Sequence, residues 1–209
     1  MTLIKICGIT SLDDAVAAAE LGADYIGFLF YKKSTKRYIQ PEKAAEISRQ
    51  VRGVKKVALF VDEHPVEAMT IAGDVGVDVL QFHGTESPEY CRMFTEYWEV
   101  WKAIRLKDSS SLDLMLSYKG IVEGFVLDKY VEGVPGGTGQ TADWDLARKA
   151  AGYGMFTMLG GGLNPGNVAE AMRKVHPDGV DVSSGVEETK GKKSYQKMKD
   201  FIERARLVA

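Results

Sequence analysis

Eight short apolar segments alternate with eight helical segments along this chain, and that alternation limits its fold more tightly than any other feature. The apolar runs are Leu3–Cys7, Tyr25–Leu29, Lys56–Val61, Val79–Phe82, Val100–Ile104, Gly124–Leu127 ending at Asp128, Phe156–Leu159 and Val180–Val182. Each is too short for a helix and is bounded by Gly, Pro, Ser or Asp, which reads as a strand. The first helix starts at Ser11, with Asp14 placed as in a capping box, and stops at Gly22. Further helices read from Pro41 to about Val51, over Pro65–Val75, from Ser87 through Cys91 and Phe94, over Ser111–Tyr118 and over Asp143–Ala151. Asn164 is expected to cap the next, with Pro165 at its first position. The last spans Ser194–Leu207 with Tyr195, Met198, Ile202 and Ala205 on one stripe. Strand–helix alternation calls for parallel βαβ units, and eight units favour a closed (β/α)8 barrel over an open doubly wound sheet.

The 209 residues, 45% of them hydrophobic, suffice for one sizeable core. One domain spanning 1–209 is expected, with loops trimmed relative to the roughly 250 residues typical of such barrels. The net charge is -2 with both signs interspersed, so no basic stripe points to nucleic acid. Cys7 and Cys91 form neither a disulfide framework nor a zinc spacing, which fits a reducing cytoplasm. No apolar run is long enough to span a membrane, and the N-terminus is too short and too strand-like for a signal peptide. Asp24 and Asp78 repeat one junction, Gly22-Ala-Asp-Tyr-Ile26 and Gly76-Val-Asp-Val-Leu80, at the N-terminal ends of strands and read as structural.

The last two units carry the strongest functional signal. Met158-Leu-Gly-Gly-Gly-Leu-Asn-Pro-Gly-Asn167 and Val180-Asp-Val-Ser-Ser-Gly-Val-Glu187 each end a strand in a glycine or Ser-Gly turn. Backbone N–H groups at such turns, and at the helix that follows, form a concave donor set for an anion. Two in succession match the preferred phosphate position of a (β/α)8 barrel.

Barrel active sites draw on the C-terminal ends of strands. That rule selects Cys7, Arg37, Asp62, Glu63, Gln81, His83, Arg105, Asp128 and Ser183. Cys7 is either a small buried hydrophobe or, as a thiolate, a base or nucleophile. Asp128 either accepts loop N–H bonds or acts as an acid. His83 is structural or ligand-binding. Arg37 is a surface cation or a bidentate clamp for a carboxylate. The scattered histidines suggest no metal site, and Gly136-Gly-Thr-Gly139 suits a lid or a phosphate contact. Strand periodicity puts Lys5 on the face of Cys7 and Asp181 on that of Ser183. Since the first and last strands of a closed barrel are neighbours, Lys5 and Asp181 are expected to pair across the seam; alternatively Asp181 faces a substrate.

Lys5-Ile-Cys-Gly-Ile-Thr10, Gly27-Phe-Leu-Phe-Tyr31 with Ser34 and Arg37, Leu80-Gln-Phe-His-Gly84, Leu127-Asp128, Gly136-Gly-Thr-Gly139, Gly161-Gly-Leu-Asn-Pro165 and Val180–Glu187 together resemble the phosphoribosylanthranilate isomerase family of tryptophan biosynthesis. The resemblance runs over nearly the whole chain. It implies a cofactor-free barrel performing an Amadori rearrangement on a small phosphosugar. Asp128 would be the acid that opens the furanose and Cys7 the base that takes the C2 proton. Arg37 would hold the anthranilate carboxylate, with His83 and Asp181 also on the substrate. Phosphate would bind at Gly161, Gly162, Ser183, Ser184 and Gly185, joined by Gly137 and Gly139. Two departures stand out: the loop Ser34-Thr-Lys-Arg37 is one residue longer than usual, and Gly160 replaces the usual Ser or Ala. Other sugar-phosphate barrel enzymes and a non-catalytic phosphate binder are the competing classes. The oligomer is expected to be a monomer or homodimer, without nucleic-acid or membrane partners.

Overall fold

Residues that alternate along a strand face opposite sides of a sheet, and this chain uses both sides. In the computed structural model, which describes residues 2–34, 36–129 and 143–208, the strands are β1 (Leu3–Cys7), β2 (Tyr25–Leu29), β3 (Lys55–Phe60), β4 (Val79–Phe82), β5 (Glu99–Leu106), β6 (Gly124–Lys129), β7 (Phe156–Leu159) and β8 (Gly179–Val182). They pair in parallel in that order, and β8 closes on β1 with Lys5 opposite Asp181. The outward set, including Ile4, Ile6, Phe28, Phe60 and Phe82, packs under the helices. The inward set begins as an apolar plug of Tyr25, Val57, Val79, Trp101, Val126 and Met158. Above it the same inward periodicity turns polar: Lys5 and Gln81 are fully buried, Cys7 and His83 follow them by two residues, and Asp128 follows Val126 of the plug by the same step.

The helices are α1 (Leu12–Glu20), α2 (Pro41–Gln50), α3 (Pro65–Val75), α4 (Pro88–Arg92), α5 (Ser110–Ser117), α6 (Trp144–Ala151), α7 (Val168–Val175) and α8 (Tyr195–Arg206). Ser11, Ser87, Asp143 and Ser194 cap α1, α4, α6 and α8 through their side-chain oxygens. At α1 the capping box is half made. Ser11 accepts from the Asp14 N–H, but the Asp14 carboxylate reaches away to the Lys193 N–H at 3.0 Å.

Three expectations need correction. α7 starts at Val168, not after Asn164. The Asn164 Oδ1 accepts the Gly166 N–H at 2.8 Å, so Asn164-Pro165-Gly166 forms a side-chain-closed turn ahead of the helix. α4 ends at Arg92, leaving the fully buried Phe94 beyond it. On α8 Tyr195 is exposed, and Phe201 joins Met198, Ile202 and Ala205 on the buried stripe. Two elements were not expected at all. A 3-10 turn at Ser184–Val186 follows β8, and a short antiparallel hairpin of β9 (Glu187–Thr189) and β10 (Lys192–Lys193) follows that.

At the N-terminal end of the barrel one device repeats four times. The acid just before each even-numbered strand accepts an N–H from the preceding odd-numbered strand. Asp24 accepts from Ile4 at 2.8 Å, Asp78 from Lys56 at 2.7 Å, Glu123 from Val100 at 2.7 Å and Asp178 from Thr157 at 2.8 Å. This gives Asp24 and Asp78 the structural role expected of them, and it puts no acid in the mouth.

Candidate active site

The C-terminal rim surrounds a cavity of about 300 Å³ whose wall includes Cys7, Arg37, His83, Asp128 and Asp181, together with Gly161, Gly162, Ser183 and Ser184. The cavity thus brings together every described residue that the family resemblance implied for the site except Gly185, which sits directly behind Ser184 against Leu163 and Asn164; of the other strand-end candidates, Asp62, Glu63, Gln81 and Arg105 do not line it. Gly137 and Gly139 lie outside the described residues. Asp62 is turned from the mouth and holds the Thr85 hydroxyl at 2.9 Å.

Cys7 ends β1 beside β2, where Gly27 is its register partner. A Cβ on Gly27 would lie 3.0 Å from the Cys7 Sγ and 3.3 Å from the Lys5 Cε. The missing side chain is therefore what lets thiol and lysine stem share one wall. Lys5, one inward position deeper, bonds the Asp181 Oδ1 at 2.9 Å across the β1–β8 seam. Burial alone pushes the Lys5 ammonium down, but Asp181 and Cys7 raise it above its ordinary value, so the group stays charged. Burial pushes the Cys7 thiol up; Lys5 and Lys193 pull it down and Asp181 opposes them, leaving it above the ordinary thiol range.

Asp128, at the end of β6, is held at both oxygens. Its Oδ1 accepts the Lys129 N–H at 2.8 Å, and its Oδ2 lies 3.0 Å from the His83 Nε2. The His83 Nδ1 in turn lies 3.0 Å from the Gln81 amide nitrogen. Gln81 and His83 share the inward face of β4 and its end by simple alternation.

Arg37 forms a bidentate pair with Glu187, Nε to Oε1 at 2.7 Å and Nη2 to Oε2 at 2.9 Å. Such a fork fixes the guanidinium plane. The pair occupies one edge of the fork, and the Nη1 edge is the one left for an external carboxylate. Lys193, buried, lies 3.3 Å from Glu187 Oε1, the oxygen that also accepts from Arg37 Nε, and 3.1 Å from the Ser183 carbonyl. Burial pushes the Glu187 carboxyl up, but the Arg37 hydrogen bond and the Lys193 charge outweigh it and hold the group below the ordinary glutamate range. For Lys193 burial wins, and its ammonium is lowered. Glu187 and Lys193 were missed as site residues. Glu187 closes the Val180–Glu187 motif, but nothing local in the sequence ties it to Arg37, 150 residues away.

Gly161 and Gly162 both have φ above +70°, a left-handed conformation that side chains resist. Their N–H groups and those of Ser184 and Gly185 donate to no group among the described residues. Four open donors thus stand at two adjacent strand ends, the kind of donor set a concave anion site needs. Also among the described residues, no group of three or more His, Cys, Asp or Glu stands close enough to hold a metal ion. No helix there is long and apolar enough to cross a membrane.

Residues 4–204 match the family model for N-(5'-phosphoribosyl)anthranilate isomerase. A protein of that name from Trichlorobacter lovleyi is 44% identical over 207 residues, 99% of this chain and 98% of the relative. One from Geotalea uraniireducens is 46% identical over 207 residues, 99% of each. Among solved structures, the phosphoribosylanthranilate isomerase of Thermotoga maritima superposes with a TM-score of 0.91 at 40% identity, covering 99% of both chains. An isomerase of the same name in complex with reduced 1-(o-carboxyphenylamino)-1-deoxyribulose 5-phosphate superposes with a TM-score of 0.88 at 39% identity, again over 99% of both.

Proposed function

Since the chain belongs to the N-(5'-phosphoribosyl)anthranilate isomerase family, we propose that Cys7 and Asp128 are the base and the acid of its reaction. The enzyme is an intramolecular aldose–ketose isomerase of tryptophan biosynthesis. It converts N-(5-phosphoribosyl)anthranilate to 1-(2-carboxyphenylamino)-1-deoxyribulose 5-phosphate. Asp128 protonates the ribose ring oxygen, and the furanose opens to an iminium that acidifies the C2 proton. Cys7, as thiolate, takes that proton to give an enolamine, which tautomerises to the ketone. Asp128 becomes a carboxylate as it acts, and the Lys129 N–H and His83 stand ready to stabilise it.

Arg37 holds the anthranilate carboxylate through the guanidinium edge that Glu187 leaves open. His83 and Asp181 contact the rest of the substrate. The phosphate sits on the N–H groups of Gly161, Gly162, Ser184 and Gly185 beside Ser183, with Gly137 and Gly139 completing its enclosure. The whole chain, 1–209, works as one domain in the cytoplasm, as a monomer or homodimer. It takes a small phosphosugar and needs no cofactor, nucleic acid or membrane.

The observation that carries this reading is a thiol and a carboxyl lining one cavity, from strands β1 and β6, with four open N–H donors at its rim. The test is turnover of N-(5-phosphoribosyl)anthranilate, followed by loss of its anthranilate-type fluorescence. Cys7→Ala and Asp128→Ala should each lower kcat by ~100- to 10,000-fold with the fold intact, the usual worth of a positioned acid or base. Cys7→Ser should fail as well, because a hydroxyl is a far weaker base than a thiolate. Activity within a few-fold of the parent in either Ala variant would remove that residue from the mechanism.

A further inference from the structure

We propose that Gln81 is a positioning residue for the acid: its buried amide fixes which ring nitrogen of His83 carries the proton, and thereby which oxygen of Asp128 carries the acid proton. The inference rests on Asp128 being the acid of the reaction.

The three side chains form one line into the mouth. Gln81 is fully buried on β4, and its Nε2 lies 3.0 Å from the His83 Nδ1. The His83 Nε2 lies 3.0 Å from the Asp128 Oδ2. An amide nitrogen only donates, so the Nδ1 facing it must be the acceptor. In a neutral imidazole the proton then sits on Nε2, which donates to Oδ2. The Lys129 N–H takes one lone pair of Oδ1 at 2.8 Å. With a hydrogen bond already entering Oδ2, the acid proton belongs on Oδ1. Once it has gone to the ring oxygen, both carboxylate oxygens still accept a donor, which favours the charge left behind.

The opposite arrangement is within reach of the same atoms. The Gln81 Oε1 is buried and has no hydrogen-bond partner among the described residues. Rotating the amide by half a turn would put that oxygen on Nδ1 and call for a proton there. Either orientation leaves one end of the amide unpaired; the one present, with Nε2 on Nδ1, is the one that suits the acid. With Nδ1 protonated, the bare Nε2 would draw the acid proton to Oδ2, toward the histidine and away from the substrate. After transfer, it would face a carboxylate with a lone pair. Gln81 thus touches no reacting atom and acts on the acid through His83.

The test reads the tautomer and the chemistry separately. Long-range proton–nitrogen correlation on 15N-labelled enzyme, with His83→Gln used to assign the signal among three histidines, should show His83 protonated on Nε2 and bare on Nδ1. In Gln81→Glu the new carboxylate accepts from Nδ1, so a proton should appear there. There kcat should fall by about 10-fold or more, with KM within about 3-fold, the pattern of an interaction used only in the transition state. Gln81→Met, similar in size but without a donor, should give a mixed tautomer and an intermediate kcat, and it keeps the test alive if the glutamate variant fails to fold. A parent enzyme with Nδ1 protonated would overturn the proposal. So would a variant in which the tautomer moves and kcat does not. An active Asp128→Ala would instead sink the assignment of the acid, whatever the histidine shows.

Discussion

Cys7 is under opposing influences that a free thiol never meets. Burial raises its proton affinity, while Lys5 and Lys193 lower it without fully cancelling the rise. A base with raised affinity is stronger once ionised but is ionised over a higher pH range. The sign follows directly. With Cys7 as the proposed base, activity needs the thiolate, so kcat/KM of the free enzyme should climb with pH along a limb above the ordinary thiol range. Lys5→Met removes the nearest cation and leaves Asp181 uncompensated, and both changes should move that limb further up. A limb that stays put in Lys5→Met would mean that Lys5 does not act on the thiol. At this scale the sequence was informative wherever period-two alternation reached the mouth, as it does from Lys5 to Cys7 and from Gln81 to His83. It singled out Arg37 but was silent on its partner Glu187, because their pairing depends on two distant loops meeting and leaves no local pattern.

The hairpin β9–β10 explains how the mouth keeps its shape. It supplies Glu187 to Arg37 and the Lys193 N–H to Asp14, and its Gly191 carbonyl accepts the Thr10 hydroxyl at 2.7 Å. The turns after β1, β2 and β8 are thereby tied to one element. Nothing announced it in Glu187-Glu-Thr-Lys-Gly-Lys-Lys193, because a two-stranded ribbon of charged residues has no apolar alternation to detect. Asn164 misled for a related reason: a good capping residue is also a good turn residue, and the chain used it for the turn. Glu187→Gln should raise KM more than it lowers kcat, because in the proposed mechanism the Arg37 that it orients binds the substrate carboxylate before and during reaction alike. The pH dependence has a definite sign. A carboxyl held below its ordinary range contributes stability above that range, and loses it as pH falls through the lowered folded-state value. The difference in thermal stability between the parent and Glu187→Gln should therefore be widest near neutrality and shrink below the glutamate range. A gap independent of pH would show that the charge of Glu187 is not what stabilises the pair. The acids at the other end of the barrel give the contrast. Asp78→Ala should lower stability by about 1 kcal/mol, the worth of one modest hydrogen bond, and leave turnover unchanged.

On the scale of the molecule, the alternation of eight units was enough to anticipate a closed barrel, because a parallel strand needs a crossover and eight crossovers complete the ring. The interior is graded from an apolar plug to a polar rim, and Lys5 sits where the two meet. An ammonium there is tolerable only if paired. Its partner, Asp181, lies directly across the β1–β8 pairing that joins the two ends of the chain. One oxygen of Asp181 is engaged by Lys5, and the carboxylate also lines the cavity, open to the substrate contact proposed for it. Both roles weighed from the sequence thus fit one side chain. If the chain is a single domain, its thermal unfolding should be one cooperative transition, and the seam charges should be felt by all of it. Lys5→Met strands a carboxylate and Asp181→Asn strands a buried ammonium, so each should destabilise by about 3 kcal/mol, the usual penalty for breaking a buried pair from one side. The double variant has no stranded charge and should lose clearly less than the sum. All three should be poor catalysts, since Asp181 lines the cavity and Lys5 lies beneath Cys7, the proposed base, so stability and turnover have to be measured separately. Additive stability losses would mean that the two residues are satisfied independently, and that closure of the barrel depends on backbone pairing and the apolar plug alone.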